Sequence, residues 1–165
     1  MFFKIFDKSK KKNFLNNVEK FGIEKISELL IKSGKERIRA YTGGLSKDEL
    51  SQLIQILPVE SIGLYVGKEI FNKKTKKGET RLSLDGVNFW NKQISERIIT
   101  LDKEQEERWF KGEDIDVNEN QVKDVGDKGF VLLKSSIYGD LIGTGKLSTD
   151  NTVFNFLPKE RRRRN

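Results

Sequence analysis

Positive charge is the chemistry this sequence offers most plainly. Arg161, Arg162, Arg163 and Arg164 stand in a row shortly after Pro158, with Lys159 between. Lys73, Lys74, Lys76 and Lys77 crowd one short segment, and Lys10, Lys11 and Lys12 another, next to Lys8. Guanidinium forks and ammonium groups are phosphate ligands. Over the whole chain, 32 Lys and Arg against 25 Asp and Glu leave a net charge of +7. A chain with a pI of about 9.5 attracts polyanions, because neutralised phosphates release condensed counterions. Four aromatic residues, Phe130, Tyr138, Phe154 and Phe156, lie among the basic ones and are of the type that stacks on bases. Tyr138, in a loop, is the stacking candidate. Phe154 and Phe156 share a strand face and are assigned to the core.

Other chemistries are harder to build. There is no histidine and no cysteine. That removes the Ser–His–Asp triad, Cys–His pairs, nearly every zinc site and any disulfide framework. Asp102, Glu104, Glu106 and Glu107 alternate with Lys and Arg and read as the solvated face of a short helix. Asp114 and Asp116 share a strand face, but nothing near them supplies a nucleophile or a metal-binding set. Gly143-Thr144-Gly145-Lys146 fails as a nucleotide loop: Asp140 stands where the first glycine of G-x-x-x-x-G-K-[ST] belongs, and Leu147 where the Ser or Thr belongs. Its glycines are read instead as places where a strand bends or backbones approach closely. No catalytic residue, cofactor, metal or small-molecule substrate is therefore assigned. No apolar run reaches the length of a membrane span. Residues 1–6 are too short for a signal peptide and carry their positive charge on the wrong side. A cytoplasmic protein is expected.

The elements that must position the basic residues can be read in order. Phe2 to Phe6 suits an edge strand. Ser9 to Lys20 is a helix with Phe14, Leu15, Val18 and Phe21 on one face, stopped at Gly22. Ile23 to Lys32 is read as a second helix ending at Gly34, and Glu36 to Thr42 as a strand. Ser46-x-x-Glu49 is a capping box that opens a helix closed by Pro58. Strands follow at Ser61 to Phe71, with Ile62, Leu64 and Val66 inward, and at Glu79 to Leu84, with Leu82 and Leu84 inward. The lysine-rich turn 72–78 joins them, and Asp85–Gly86 is another turn. The order is α-α-β-α-β-β. The pattern loosens near Gln93 to Arg97, which divides residues 1–94, a mixed α/β lobe, from 95–165. In the second part, Ile98 to Leu101 is a strand, Asp102 to Phe110 a short helix and Val117 to Lys128 a polar loop. The segments WFKGEDIDV, KGFVLLKSS, YGDLIGTGKLS and TVFNFLP suit a small glycine-cornered β-barrel. The fold class expected is α+β. The lysine turn reads either as a solvated hairpin tip or as a phosphate contact, and so does the start of the first helix.

WFKGEDI, KGFVLLK, YGDLIGTGKL and PKERRR resemble a PUA domain, an RNA-binding pseudobarrel. They are similar to the PUA-like tail of RNA cytosine-5 methyltransferases, where a glycine follows an aromatic segment and a hydrophobic strand follows a KG. A G-x-G-K turn and a closing P-K-x-x-R come next. Upstream, the lysine-rich turn, RLSLDGVNFW and ERIITL resemble the middle of the PUA-domain factors that process pre-ribosomal RNA and help build the large ribosomal subunit. Those factors carry an N-terminal α/β lobe ahead of the PUA domain. The resemblance implies a non-enzymatic binder of ribosomal or transfer RNA, working with pre-ribosome or RNA-modification proteins, in the cytoplasm or, in a eukaryote, the nucleolus. It places RNA contacts at Lys111 beside Gly112, at Lys146 after the G-x-G turn, and at Lys159, Arg161, Arg162 and Arg163. Arg164 extends that series. The arginine terminus without a further strand departs from the family pattern. No glycine-rich cofactor loop and no catalytic cysteine of a methyltransferase body is present.

Two further readings use the same residues. In one, the chain is a protein-interaction adaptor, an accessory subunit of an RNA-modifying complex whose charge is incidental. In the other, Asp114 and Asp116 serve an enzyme. RNA binding predicts affinity that falls steeply with salt. One continuous basic face favours it and scattered charge favours the adaptor, though the two can coexist. The enzyme reading falls if changing Asp114 and Asp116 leaves every function intact.

Overall fold

In a computed structural model of the chain, which describes residues 2–164, Phe3–Ile5 form β1 and Lys8–Val18 form α1. Asp7 caps α1 by accepting from the Lys10 amide at 2.8 Å, and a turn of 3-10 helix, Glu19–Phe21, carries the chain to Gly22 at φ +95°. β2 is Leu29–Ser33 and β3 is Arg37–Tyr41, joined by a tight turn with Gly34 at φ +65°. The capping box of Ser46 and Glu49 opens α2, Lys47–Ile56. β4, Leu64–Asn72, and β5, Lys77–Leu82, form the lysine-tipped hairpin, and α3, Leu84–Phe89, follows. The five strands make an antiparallel sheet in sequential order, β1 to β5. Phe3, Ile31, Leu50 and Ile62 pack as one core cluster under α2, and Leu30, on the opposite face of β2, is buried as well.

The observed order, β-α-β-β-α-β-β-α, departs from the α-α-β-α-β-β read from sequence. The second predicted helix, Ile23 to Lys32, is irregular chain followed by β2. Leu29 and Leu30 are continued by Ile31, and β1 and β3 pair with β2 on both edges. Leu30 and Ile31 are both buried, and a short apolar run buried on two faces has no periodicity to separate strand from helix. Gly34 consequently ends no helix. In β4 the expected inward row breaks. Pairing with β3 shifts at Ile38 and Arg39, Val66 and Gly67 are both buried, and Leu64 is 40% exposed. A bulge of this kind resets the alternation of faces. Asp85–Gly86 is helical rather than a turn. The Ser83 hydroxyl accepts from the Gly86 amide at 2.9 Å, and Leu84 lies in α3 rather than at the end of β5.

The chain divides into two compact units, one up to Phe89 and one from Trp90. In the second, β6 is Ile98–Leu101, α4 Lys103–Lys111, β7 Ile115–Asp116 and α5 Glu119–Val122. α5 falls inside the stretch read as a polar loop, because Asn118 and Gln121 make a capping box there. β8 is Gly129–Ser135, β9 Leu141–Leu147 and β10 Thr152–Asn155, and Lys159–Arg161 is a final 3-10 turn. The sheet order is β6-β8-β9-β10-β7, with β6 parallel to β8 and the other pairs antiparallel. β8 is an interior strand between β6 and β9, and Phe130 to Leu133 are all buried. The sheet curls into a half-barrel, the pseudobarrel expected of the C-terminal part, and the fold class is α+β. Among the described residues, no helix is long and apolar enough to cross a membrane.

Candidate nucleic-acid interface

α4 organises the C-terminal unit. Asp102 and Gln105 cap its start, and Gly112 ends it in the left-handed region at φ +89°. Its buried residues, Glu106 and Trp109, are three apart and so share a face. Trp109 is fully buried, and its indole N–H donates to the Ile142 carbonyl at 3.3 Å. A side chain at Gly143 would place its Cβ 2.9 Å from the Trp109 ring, so this glycine permits a close approach of strand and helix. A Cβ at Gly145 would collide with Val153. The G-T-G turn of the sequence is thus the middle of β9, thinned where β10 and α4 press on it.

Beside those glycines lies Lys146. It pairs with Phe130 of β8 on one side and Phe154 of β10 on the other. Cross-strand partners put their side chains on one face, so Phe130, Lys146 and Phe154 form a row. The Lys146 ammonium sits 5.3 Å from the Phe130 ring centroid, and Phe156 tilts against Phe130 at 6.0 Å. Phe154 is 45% exposed. Assigning it to the core is therefore a correction: Val153, its neighbour, takes the inward position. An exposed aromatic ring beside an ammonium is the pairing that holds a base and its phosphate. Arg97 braces the Phe130 end of this row. Its guanidinium donates to the carbonyls of Phe130 at 2.8 Å, Val125 at 2.9 Å and Asp127 at 2.8 Å, and burial lowers its pKa from the ordinary arginine value.

The basic terminus is anchored. The Arg163 amide donates to the Phe110 carbonyl at 2.8 Å, and the Arg163 guanidinium stacks 5.0 Å from the Phe110 ring centroid. Arg162 lies across Gly112, and its Nε donates to the Leu157 carbonyl at 3.0 Å. Asn155 clasps the same region. Its side-chain amide donates to the carbonyls of Trp109 at 2.8 Å and Glu113 at 2.9 Å. These contacts gather Lys111, Arg162 and Arg163 around the C-terminal end of α4, where positive charge also complements the helix dipole. Lys111, Lys159, Arg161, Arg163 and Arg164 are exposed, and Arg162 is half-buried.

Tyr138 stands elsewhere, at the β8–β9 turn, at the opposite end of β9 from Lys146 and about 17 Å of strand away. It is 75% exposed, and Ile137 beside it 51%. The turn is held by a buried pair the sequence did not suggest. Ser135 donates its hydroxyl to Glu106 at 2.6 Å and accepts from the amides of Ile137 at 3.2 Å and Tyr138 at 3.1 Å. Glu106 is therefore not on a solvated face. It lies inward because Ser135, distant in sequence, meets it. Asp114 accepts from the Asn155 amide at 2.8 Å and Asp116 from the Thr152 hydroxyl at 2.9 Å, so both tie β7 to β10. Among the described residues, no group of three or more acidic side chains could hold a metal ion.

The remaining basic patches lie in the N-terminal unit. Lys73, Lys74, Lys76 and Lys77 are exposed at the β4–β5 tip, which Asn72 shapes by accepting from the amides of Lys74 at 3.0 Å and Thr75 at 3.2 Å. In α1, Lys11 donates to the Glu28 carbonyl at 2.8 Å, Lys12 is exposed, and Lys10 turns toward β1 and β2.

No curated protein matches the chain. Residues 96–163 match the family model described as the methyltransferase RsmF PUA domain. The match begins two residues before β6 and closes within the arginine terminus, so it takes in α4, the Lys146 row and the anchored end. This part of the chain is a PUA-type domain, similar to the PUA tails of RNA methyltransferases.

Proposed function

We propose that this protein is a non-enzymatic RNA-binding protein that acts in ribosomal RNA processing or transfer RNA maturation, in the cytoplasm or a nucleolus. A PUA domain suggests RNA binding. The observation that carries the reading is the row Phe130–Lys146–Phe154, in which an exposed ring stands next to a cation on a curled sheet. Lys146, Lys111, Lys159, Arg161, Arg164 and the anchored Arg163 would meet phosphates, and Phe154 would stack on a base. Phosphate contacts would supply affinity and position, and the stacked base a preference for unpaired RNA. The upstream likeness to large-subunit assembly factors favours ribosomal RNA.

The test is binding of a fluorescent single-stranded oligoribonucleotide at two salt concentrations. Phe154→Ala is expected to lower affinity by about 1–3 kcal/mol at either salt, as loss of one stacked base does. Lys146→Gln is expected to flatten the salt dependence by about 0.7 in the slope of log K against log salt. Wild-type affinity indifferent to salt, or unaltered in both variants, would overturn the reading.

A specific observation also favours a protein partner for the N-terminal unit. Ile56 is 76% exposed and Leu57 52%, next to a cavity of about 640 Å³ lined by Phe3, Ile54, Leu57 and Val59. An accessory role beside an RNA-modifying enzyme would use that surface, and it is compatible with RNA binding by the other unit.

A further inference from the structure

The N-terminal unit gathers lysines that the sequence separates. Lys4 of β1 and Lys32 of β2 are direct cross-strand partners, so both side chains leave the same face of the sheet side by side. Like charges in that arrangement destabilise a sheet. Lys10 of α1 joins them at a cavity of about 330 Å³ lined by Lys4, Phe6, Lys10, Asn13, Lys32 and Glu69. Three ammonium groups thus line the cavity with one carboxylate. Glu69 contacts Lys32 at 2.8 Å. Asp7 lies 3.9 Å from the Lys10 ammonium, but its other carboxylate oxygen is occupied by the Lys10 amide at 2.8 Å. The nearby Lys4 ammonium depresses the pKa of Lys10, burial adds to that, and Asp7 and Glu69 oppose it. With Asp7 beside Lys10 and Glu69 on Lys32, one positive charge remains unbalanced, and Asn13 offers an amide donor. A cluster that repels itself is relieved by a bound anion, and a tetrahedral oxyanion gives several ammonium groups an acceptor each.

We propose that the cavity between β1, β2 and α1 is a phosphate-binding site, which takes either a phosphodiester of an RNA strand or a free phosphate group. The site lies wholly within the N-terminal unit and does not depend on the stacking row of the PUA-type domain.

The experiment is an amide-resolved NMR titration of the full chain. Inorganic phosphate is added in one arm against sodium chloride at equal ionic strength, and an oligouridylate in a second arm. Saturable shifts at Lys4, Lys10 and Lys32 are expected, beyond those in chloride. Lys10→Gln, a substitution at a half-buried position in the first turn of α1, is expected to weaken binding about tenfold, and Glu69→Gln to strengthen it several-fold by releasing Lys32. Shifts in the oligouridylate arm that vanish in Lys10→Gln identify an RNA backbone as the source. Shifts only with inorganic phosphate identify a free phosphate group. Shifts no larger than those in chloride, or saturable shifts unchanged by Lys10→Gln, overturn the proposal. Oligouridylate shifts confined to residues 130–156, with none at the lysines in either arm, would overturn this site and leave the RNA reading of the C-terminal unit standing.

Discussion

Gly112→Ala tests how the basic terminus is held. Gly112 has φ +89°, and an alanine forced into the left-handed region costs about 1–2 kcal/mol. The added Cβ would also stand 2.6 Å from Cδ and Nε of Arg162. That side chain is flexible, so it moves aside, and the bond from its Nε to the Leu157 carbonyl is lost. A hydrogen bond made by a charged group contributes about 1.5–3 kcal/mol. With the lower figure for the bond, Gly112→Ala costs about 3 kcal/mol and Arg162→Ala about 1.5 kcal/mol. The double variant then costs about 3 rather than 4.5 kcal/mol, because the alanine at 112 no longer displaces anything, a coupling of about 1.5 kcal/mol. Both tryptophans, Trp90 and Trp109, are buried and belong to the C-terminal unit, so urea unfolding followed by tryptophan fluorescence reports that unit. Additive effects within about 0.5 kcal/mol would refute the seating of Arg162 on Gly112. A Gly112→Ala cost below about 1 kcal/mol would refute the left-handed cap as a constraint.

Two more predictions concern other parts of the fold. Ser135→Ala removes the donor to a buried carboxylate, and the same fluorescence assay should register a loss of about 1.5–3 kcal/mol. Glu106→Gln combined with Ser135→Ala should cost less than the sum of the two single changes, and a strictly additive pair would remove the bond from the argument. In the N-terminal unit, Glu49 has its pKa lowered from 4.5, chiefly by the hydrogen bond from the Ser46 backbone and then by the Ser46 side chain. A carboxylate whose folded value is depressed adds stability that is full above its unfolded value and is lost as pH falls through the folded one. Circular dichroism of α2 should therefore weaken below pH 4.5, and Glu49→Gln should lessen that acid sensitivity. A variant with the wild-type acid profile would contradict the capping box as its source.

Local signals in the chain determined a good deal. Capping boxes act within four residues, and Ser46–Glu49 marked the start of α2. Short apolar runs punctuated by glycine marked β8, β9 and β10, and Gly22, read as the stop of the first helix, is left-handed there. Net positive charge and the missing histidine and cysteine follow from composition alone. The family likeness of the last third rested on the spacing of aromatic, glycine and basic residues along the chain, and the match of residues 96–163 to a PUA model falls on that part.

What tertiary structure alone decided depends on partners far away in sequence. β2 is a strand because two other strands pair with it, and its apolar run has no period that says so. Phe130 of β8 and Phe154 of β10 flank Lys146 of β9 in one cross-strand row, yet one is buried and the other exposed, and that difference is set by what packs over each ring, Phe156 over Phe130 among them. Glu106 reads as one more acid on a charged helix until Ser135, across the fold, gives it a donor. Lys4 and Lys32 become neighbours only through the register of β1 on β2. A sequence displays interactions over a few residues, whereas register, burial and curvature arise from contacts between distant segments, and those place both the exposed ring beside Lys146 and the lysine cavity.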